Sequence, residues 1–343
     1  MTTVARHLPT STRVHLPRRS PRKVVAALVI ASGAAMVAVT FANNLFNVGP
    51  SFESMMGDFR PHLTSTAISQ TRTDVAGLGA AGTELQTKMV PAMAQQLGMT
   101  PAQFSAYIAQ TYPQVATGMT QLPQIVTTFD GLVTTLDQQR PLFRSADAIP
   151  TKSIPATTLP WMLAGLGVVL VLVGGTMWFS PQAGAATAVV LGALMIALPL
   201  VLSLPQKASD ADDLNANLKP VYTAAMVTQA KDALATVSAM GSQLQTAMLP
   251  ALATQLHLTP AQLQQMMATS FPATAAAIGN LPTALPRFQT LVADFDSNLG
   301  NYDTLKPVSF VPIIWTTMGL GLLTLIGGSV ALLWPRHKLY FVL

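Results

Sequence analysis

Four long, predominantly apolar stretches of the chain contain neither a charged residue nor a histidine: residues 24–46, 159–179, 183–204 and 311–334. Each is about as long as the roughly 20 residues that a helix needs to cross a hydrocarbon layer. A helix satisfies its own backbone hydrogen bonds, so an apolar run of this length is stable in a membrane as a helix. The pattern predicts four transmembrane helices. The tryptophans lie near the ends of these spans, where indole rings are favoured: Trp161, Trp178, Trp315 and Trp334.

Between the spans, apolar residues recur at helical spacing. One such stripe has apolar residues four positions apart: Leu85, Met89, Met93 and Leu97. Thr100 is followed by proline and then by Gln103, which is typical of a helix start with a capping box. The alternation of apolar and polar residues that marks strands is not sustained. We therefore expect residues 47–158 and 205–310 to form two helical domains.

The pattern from residue 24 to residue 136 recurs 159 positions later without a gap. The sequence LQT starts at Leu85 and again at Leu244, and TPAQ starts at Thr100 and again at Thr259. A repeat of this length exceeds the roughly 20–50 residues of solenoid repeats and indicates a duplicated domain. Each copy contains two spans, so both copies cross the membrane in the same direction. We expect a tandem parallel duplication with a pseudo-twofold axis along the membrane normal, as opposed to an inverted repeat.

Prolines predict where the helices of each copy are interrupted. Pro61 and Pro91 are expected to break or kink the first long segment, as are their counterparts Pro220 and Pro250. A last helix is expected to follow the step to Pro123. Its apolar face consists of Leu122, Ile125, Val126, Phe129, Leu132, Val133 and Leu136, matched in the second copy by Leu281, Leu285, Phe288, Leu291, Val292 and Phe295.

The distribution of charge sets the expected orientation. Half of the residues are hydrophobic and only 10% are charged. Six Arg and Lys residues precede the first acid, Glu53, and two more follow the last span, so the tails carry +8 and the residues between them −3, which gives the net charge of +5. By the positive-inside rule, the tails 1–23 and 335–343 and the short turn 180–182 are cytoplasmic. Both helical domains then lie outside the cytoplasm.

The N-terminal region has two other interpretations. A basic tail can bind nucleic acid, but beside a membrane span it is expected to set topology and to contact anionic lipid headgroups. The first span could also be a cleaved signal peptide ending near Ala42. That apolar run is long for a signal, and its counterpart 183–204 lies in the middle of the chain, so an uncleaved anchor is favoured.

No pattern of residues predicts catalysis or a cofactor. Cysteine is absent, which excludes disulfides, thiolate catalysis and cysteine-ligated metals. Nucleophile elbows, phosphate-binding glycine loops and paired catalytic acids are missing. The histidines lack metal-ligand spacing and are interpreted as polar surface or interface residues: His7, His15, His62, His257 and His337. We expect a protein that is not an enzyme and has no catalytic, cofactor-binding or metal-binding residue.

Two groups of residues point to ligands but have simpler interpretations. Asp294, Asp296 and Asn298 begin like a calcium loop, but Gly300 is one position late and Leu305 stands where the bidentate glutamate belongs. We interpret them as a solvated helix end. The methionines could line a pliable groove for lipid or a partner helix, or bind copper(I), but core filling is favoured for them: Met55, Met56, Met89, Met93, Met99, Met119, Met226, Met240, Met248, Met266 and Met267.

Within the spans, small residues recur four positions apart. They predict close helix packing at Gly184, Ala188 and Gly192 on the third span and at Ala27, Ala31 and Ala35 on the first. No ionisable residue lies in any span, which disfavours an ion-driven transporter that works alone.

These features predict a multi-pass protein of the bacterial cytoplasmic (inner) membrane, with both termini cytoplasmic. The order of span, outer domain and span resembles bacterial four-helix sensor receptors in layout, but the cytoplasmic signalling helices of such receptors are absent. We expect a non-enzymatic accessory or scaffold protein of the cell envelope. Its paired extracytoplasmic helical lobes would bind a protein or lipid partner in addition to contacting the bilayer. The alternatives are a ligand-sensing module and a subunit of a lipid-transport machine.

Overall fold

A computed structural model describes residues 21–151 and 154–333, and these residues form helices and no strand. The α-helices are α1 (Pro21–Ala42), α2 (Leu45–Phe59), α3 (Ser65–Glu84), α4 (Val90–Gln96), α5 (Pro101–Thr111), α6 (Pro113–Ala146), α7 (Leu159–Phe179), α8 (Pro181–Val201), α9 (Leu204–Leu218), α10 (Ala224–Gln243), α11 (Leu249–Gln255), α12 (Pro260–Ser270), α13 (Pro272–Ser297), α14 (Leu299–Leu305) and α15 (Phe310–Leu333). Most of the predicted basic tail, the C-terminal tail, Trp334, His7, His15 and His337 lie outside the described residues.

Four helices are long and apolar enough to cross a membrane: α1, α7, α8 and α15. The second predicted span coincides with α7, and the fourth differs from α15 by one residue at each end. The first and third end earlier than predicted, because Asn44 and Ser203 adopt left-handed backbone conformations with φ of 52° and 54°. At these two residues, which lie 159 positions apart, the chain turns from a span into α2 or α9.

The apolar helices form one compact unit, in which pairs of helices touch through glycines. A Cβ atom added to Gly33 of α1 would lie 2.4 Å from the backbone oxygen of Gly167 in α7. In the same way, a Cβ on Gly192 of α8 would lie 2.7 Å from the oxygen of Gly321 in α15. Only glycine permits so close an approach of two helix backbones.

The packing face predicted for the third span is confirmed, and the one predicted for the first span is wrong. Gly184, Ala188 and Gly192 are buried. Ala27 and Ala31 are exposed instead, and Ala35 is half-buried. The buried face of α1 is Ala26, Val29, Gly33 and Met36. Because nearly every residue of α1 is apolar, hydropathy does not distinguish its faces, and the position of the glycine decides which face packs.

The remaining helices form a second compact unit, which contains both predicted outer domains. Helices of the two stretches alternate within it: α3 packs on α13, α10 on α6, α2 on α14 and α9 on α6. One continuous core contains buried residues from both stretches, among them Met93, Phe104, Leu252 and Leu263. Two separate lobes, as the sequence predicted, are therefore not observed.

The predicted interruptions at the prolines are confirmed. α2 ends at Phe59, and α3 begins at Ser65, beyond Pro61. The residues before Pro91 form a short π-helix, Leu85–Met89, and a second π-helix, Leu244–Met248, lies 159 positions later before Pro250. A π-turn is a common way for a helix to accommodate a proline or a change of direction.

The predicted start of the last helix is wrong. α6 begins at Pro113, ten residues before Pro123, and continues through that proline. A proline removes the hydrogen bond to the carbonyl four residues earlier, which here is that of Met119. The Gln86 side chain supplies the missing donor, with its Nε2 atom 2.9 Å from the Met119 oxygen. In α13, Pro282 likewise leaves the carbonyl of Ile278 without its helical donor, and the Gln245 Nε2 atom lies 3.5 Å from that oxygen.

The predicted apolar face of α6 is buried except for Val126, which is half-buried. The matching face of α13 behaves differently. Leu291 and Val292 are buried, but Leu281, Leu285 and Phe288 retain partial exposure. This difference marks the place where the helical unit is incompletely filled.

Candidate ligand-binding cavity

Two ion pairs occur at equivalent positions of the two copies. Arg72 of α3 lies 3.1 Å from Asp137 of α6, and Lys231 of α10 lies 2.7 Å from Asp296 of α13. Both the cation and the acid recur 159 positions later, so these ion pairs could have been predicted from an alignment of the two copies. These groups are at least one-third exposed, and such pairs contribute little to stability. They connect helices of the same copy.

A second repeated contact connects helices of different copies. The carboxylate of Glu84 is buried, and its Oε2 atom accepts a 2.8 Å hydrogen bond from the backbone N–H of Thr274. Gln243 stands at the equivalent position, and its Oε1 atom accepts from the N–H of Val115 at 3.0 Å. Each acceptor caps the first turn of the other copy's long helix, where backbone N–H groups have no helical partner.

A third repeated contact joins the first outer helix of each copy to the start of a span. Glu53 accepts a hydrogen bond from the N–H of Ala156 at 2.9 Å, just before α7. Asp212 accepts from the N–H groups of Phe310 and Val311 at 2.7 and 3.1 Å, at the start of α15. A carboxylate at a helix N-terminus compensates the helix dipole. The repeated acids in these three contacts therefore have structural partners.

The residues that resembled a calcium loop point to different partners. Asp294 lies 2.7 Å from His62 Nε2, and Asp296 is paired with Lys231. Asn298 is fully buried and donates to Asp58 at 2.8 Å. Among the described residues, no group of three or more acids and histidines is placed to hold a metal ion.

Two tyrosines near this helix end are also held by backbone oxygens. The Tyr222 hydroxyl donates to Phe295 at 2.8 Å, and the Tyr302 hydroxyl donates to Asn215 at 3.1 Å. Burial raises the pKa of Tyr222 above its usual range and, with the charge of Asp303, raises the pKa of Tyr302 to about 12. Both phenols are neutral at physiological pH and serve as hydrogen-bond donors.

Of the eleven methionines considered for a groove, six are buried and five are half-buried: Met99, Met119, Met226, Met240 and Met266. Met89, Met93 and Met248 are at most 3% exposed and lie in the core shared by both copies. Met55, Met56 and Met267 are also buried. The interpretation of these side chains as core filling agrees with their positions, and a lipid groove along the methionine stripe is not observed.

An apolar cavity lies elsewhere, between α3, α6, α10 and α13. It has a volume of about 430 Å³, which is within the range of roughly 300–1,000 Å³ for ligand pockets. Aliphatic and aromatic side chains from all four helices line it, among them Leu78, Val126, Phe129, Leu234, Leu285 and Phe288. Edge-to-face contact between the rings of Phe129 and Phe288, with centroids 5.1 Å apart, fixes one wall.

Charged and polar groups lie on one side of this cavity. Arg287 of α13 donates from Nη2 to Asp74 of α3 at 2.6 Å. Asp74 also accepts from Gln70 at 3.3 Å. The Asp74 side chain is only 6% exposed, whereas that of Arg287 is 43% exposed. Asn280 adds an amide to the same lining. The cavity therefore combines an apolar interior with one polar side.

The equivalent place on the other side of the unit is a groove of about 570 Å³ with a different lining. Gly77 and Ala284 line the cavity, but their counterparts 159 positions away are Thr236 and Ile125. A Cβ atom added to Gly77 would meet no atom within 4 Å. The groove at the equivalent place is lined largely by polar residues: Gln121, Gln124, Thr128, Thr228, Gln229 and Asp232.

Met240 also occupies space on the side of the unit opposite the cavity, next to Gly118. A Cβ on Gly118 would lie 2.3 Å from the Met240 sulfur, so this side chain occupies the space beside the glycine. The counterpart of Met240 is Ala81, which has a much shorter side chain. The two sides of the unit therefore differ in side-chain volume at Gly77, Ala81 and Ala284.

Sequence reasoning missed this cavity. Asp74 and Arg287 have the counterparts Ala233 and Thr128, so the pair has no repeat signal, and the two residues are far apart in the chain. The sequence does show an excess of glycine at Gly77, Gly79 and Gly82, but small residues alone do not indicate a cavity. Comparison with protein-family models, with curated proteins and with solved structures gave no match.

Proposed function

We propose that this chain is a non-enzymatic accessory or scaffold protein of the bacterial cell envelope, integral to the cytoplasmic membrane, that binds a lipid or protein partner. The apolar cavity with one charged side carries this proposal, because it offers a partner both apolar surface and a charged group at its edge. The four apolar helices support membrane insertion. The basic tails support cytoplasmic termini, which place the helical unit outside the cytoplasm.

We propose further that the chain is a tandem duplication whose copies are related by a pseudo-twofold axis along the membrane normal. The reciprocal caps from Glu84 to Thr274 and from Gln243 to Val115 support this relation, since each is the image of the other under a shift of 159 residues. Because the two copies cap each other's helices, this unit is better suited to hold a partner on a rigid surface, as a scaffold does, than to move one copy against the other, as a sensor would.

The absence of cysteine permits a direct test of topology. Single cysteines introduced at Ser69, Ser180 or Ser242, which are all exposed, are treated in intact spheroplasts with a membrane-impermeant maleimide. Ser69→Cys and Ser242→Cys should react before lysis, and Ser180→Cys only after it. Labelling of Ser180→Cys in intact spheroplasts would overturn the proposed topology.

The partner is tested by crosslinking in membranes, affinity purification and mass spectrometry, together with extraction and identification of co-purified lipids. A stoichiometric envelope protein supports the scaffold, and enrichment of one lipid class over the bulk membrane supports a subunit of a lipid-transport machine, the second candidate that the cavity favours. A purified protein with neither would contradict the proposed function.

A further inference from the structure

We infer that the cavity between α3, α6, α10 and α13 binds an anionic single-chain amphiphile, with its alkyl chain among the apolar side chains and its head group on Arg287. The inference rests on the proposed function, because it requires the helical unit to face a compartment that contains lipids. It names a site and a chemical class of ligand that the proposed function leaves open.

The side chains that line the cavity indicate that the ligand has an alkyl chain. Leu78, Val126, Leu285 and Phe288 offer hydrocarbon and aromatic surface, and burial of an alkyl chain against such surface is favourable for every methylene removed from water. The volume of about 430 Å³ lies at the lower end of the range of roughly 300–1,000 Å³ for ligand pockets. One alkyl chain fits this volume better than the two chains and head group of a phospholipid.

The charged residues on one side of the cavity indicate the charge of the ligand's head group. A guanidinium has five N–H donors, and the hydrogen bond from Arg287 to Asp74 uses one of them. With 43% of its side chain exposed, Arg287 can bind a carboxylate or phosphate without releasing Asp74. Asp74 holds the guanidinium in place and is itself too buried to bind a cationic head group. An anionic head is therefore favoured over a cationic one.

The other copy supplies the variant that closes the cavity. The double substitution Gly77→Thr and Ala284→Ile fills this space with the residues found 159 positions away, at Thr236 and Ile125, where the groove has a largely polar lining. The space around Gly77 is open, and threonine is no worse than glycine inside a helix. This variant should fold normally and lack the space for an alkyl chain. The matched control is Gly57→Thr, in α2, where a Cβ also meets nothing within 4 Å.

The test uses the full-length protein in lipid nanodiscs and a photoreactive palmitic acid with a diazirine in its chain. Crosslinked peptides are mapped by mass spectrometry, and palmitate, lysophosphatidylglycerol and hexadecyltrimethylammonium serve as competitors. We expect labelling of α3 and α13 peptides that line the cavity. It should fall about tenfold in the Gly77→Thr/Ala284→Ile variant, because the chain no longer fits, and remain unchanged in Gly57→Thr.

The head group is tested by replacing the ion pair as a unit. Asp74→Asn with Arg287→Gln retains a neutral hydrogen-bonding pair, so it avoids leaving a buried carboxylate without a partner. Loss of one charge-assisted hydrogen bond should reduce labelling about tenfold. Arg287→Lys keeps the positive charge and should recover most of the labelling. Melting temperatures of all variants show whether each is folded.

The competitors distinguish the sources of the ligand. Competition by palmitate indicates a free fatty acid, competition by lysophosphatidylglycerol an anionic lysolipid, and either supports the inference. Labelling confined to the apolar spans, equal labelling in the folded cavity-closing variant, or competition by the cationic amphiphile alone would overturn it. The cysteine labelling pattern is independent of these outcomes. If the probe does not label the cavity but the cysteines show the expected topology, this site is rejected and the proposed membrane scaffold is not.

Discussion

At the scale of single residues, the polar side chains inside the helical unit are matched to backbone groups that the helices leave without partners. Glu84 and Gln243 show this most clearly, because each accepts from an N–H group in the first turn of another helix. Glu84 is 6% exposed, so the donor that it satisfies is shielded from water. An acid buried in this way could be taken for a catalytic group, but its contacts give it a structural role.

Replacement of Glu84 tests that role. Glu84→Ala leaves the Thr274 N–H without an acceptor, and we expect the free energy of unfolding to fall by about 1–3 kcal/mol. Glu84→Gln keeps an acceptor of the same length, as Gln243 does in the other copy, and should cost less. Thermal and denaturant unfolding of the purified protein in detergent micelles measures both. Equal destabilisation by the two variants would contradict the capping role.

The helix ends at Gly98 and His257 provide a second residue-scale prediction. Both have left-handed backbones, with φ of 68° and 55°, and each follows a helix whose end is closed by the same backbone hydrogen bonds. Glycine adopts this conformation without strain, and histidine does not. His257 is exposed, so its replacement changes only the backbone preference.

We expect His257→Gly to raise the free energy of unfolding by about 0.5–1 kcal/mol. The control is Gly98→Ala, which should lower it by about 1 kcal/mol because alanine resists positive φ. The melting temperatures of both variants measure the effect. A decrease in stability on His257→Gly would show that the imidazole itself makes a stabilising contact.

At the scale of elements, the long helices α6 and α13 continue through Pro123 and Pro282, where glutamines on neighbouring segments donate to the freed carbonyls. Gln86 lies in the first π-helix and Gln245 in the second. The widened turn and the proline-containing helix therefore occur together in both copies. The sequence predicted that the last helix begins after the step to Pro123, because rules for proline do not include a donor from another element.

A double-mutant cycle tests this compensation. Gln86→Ala should cost about 1 kcal/mol in the native chain, because the Met119 carbonyl loses its donor. In a Pro123→Ala background the helix supplies its own N–H, so the same substitution should cost clearly less, with a coupling energy of about 0.5–1 kcal/mol. Denaturant unfolding gives the four free energies. Additive effects would show that Gln86 does not serve the carbonyl freed by Pro123.

At the scale of the whole molecule, the alternation of helices from the two copies makes each copy incomplete. Met93 and Phe104 of the first copy share one core with Leu252 and Leu263 of the second. A half chain would expose that core to water, and the burial of apolar side chains is the main source of stability in helical domains.

Separate expression of residues 1–182 and 183–343 tests this interdependence. Each half alone should be degraded or aggregate, whereas the two expressed together should purify as a 1:1 complex with the melting behaviour of the full chain. The cut falls in the first turn of α8, which begins at Pro181 and contributes no residue to the shared core. A stable, monodisperse half with native helical content would instead support two independent lobes.

The fold was predictable where local pattern decides it. Capping boxes at Thr100 and Thr259 form as expected, with both of the reciprocal hydrogen bonds present. The face of the first span was not predictable, because Ala27 and Ala26 are equally apolar and only contact with another helix separates them. The cavity was not predictable either, since its lining comes from four helices and depends on which positions lack side-chain volume.

By itself, the sequence determined the four apolar helices, the repeat of 159 residues, the helix caps and the breaks at Pro61 and Pro91. All of these follow from periodicity, length and backbone chemistry within one segment. Only the tertiary structure decided that the helices of the two copies interleave and that Asp74 meets Arg287 beside an apolar cavity. These contacts join residues distant in the chain, and the free energy that selects them comes from packing between elements, which no local pattern records.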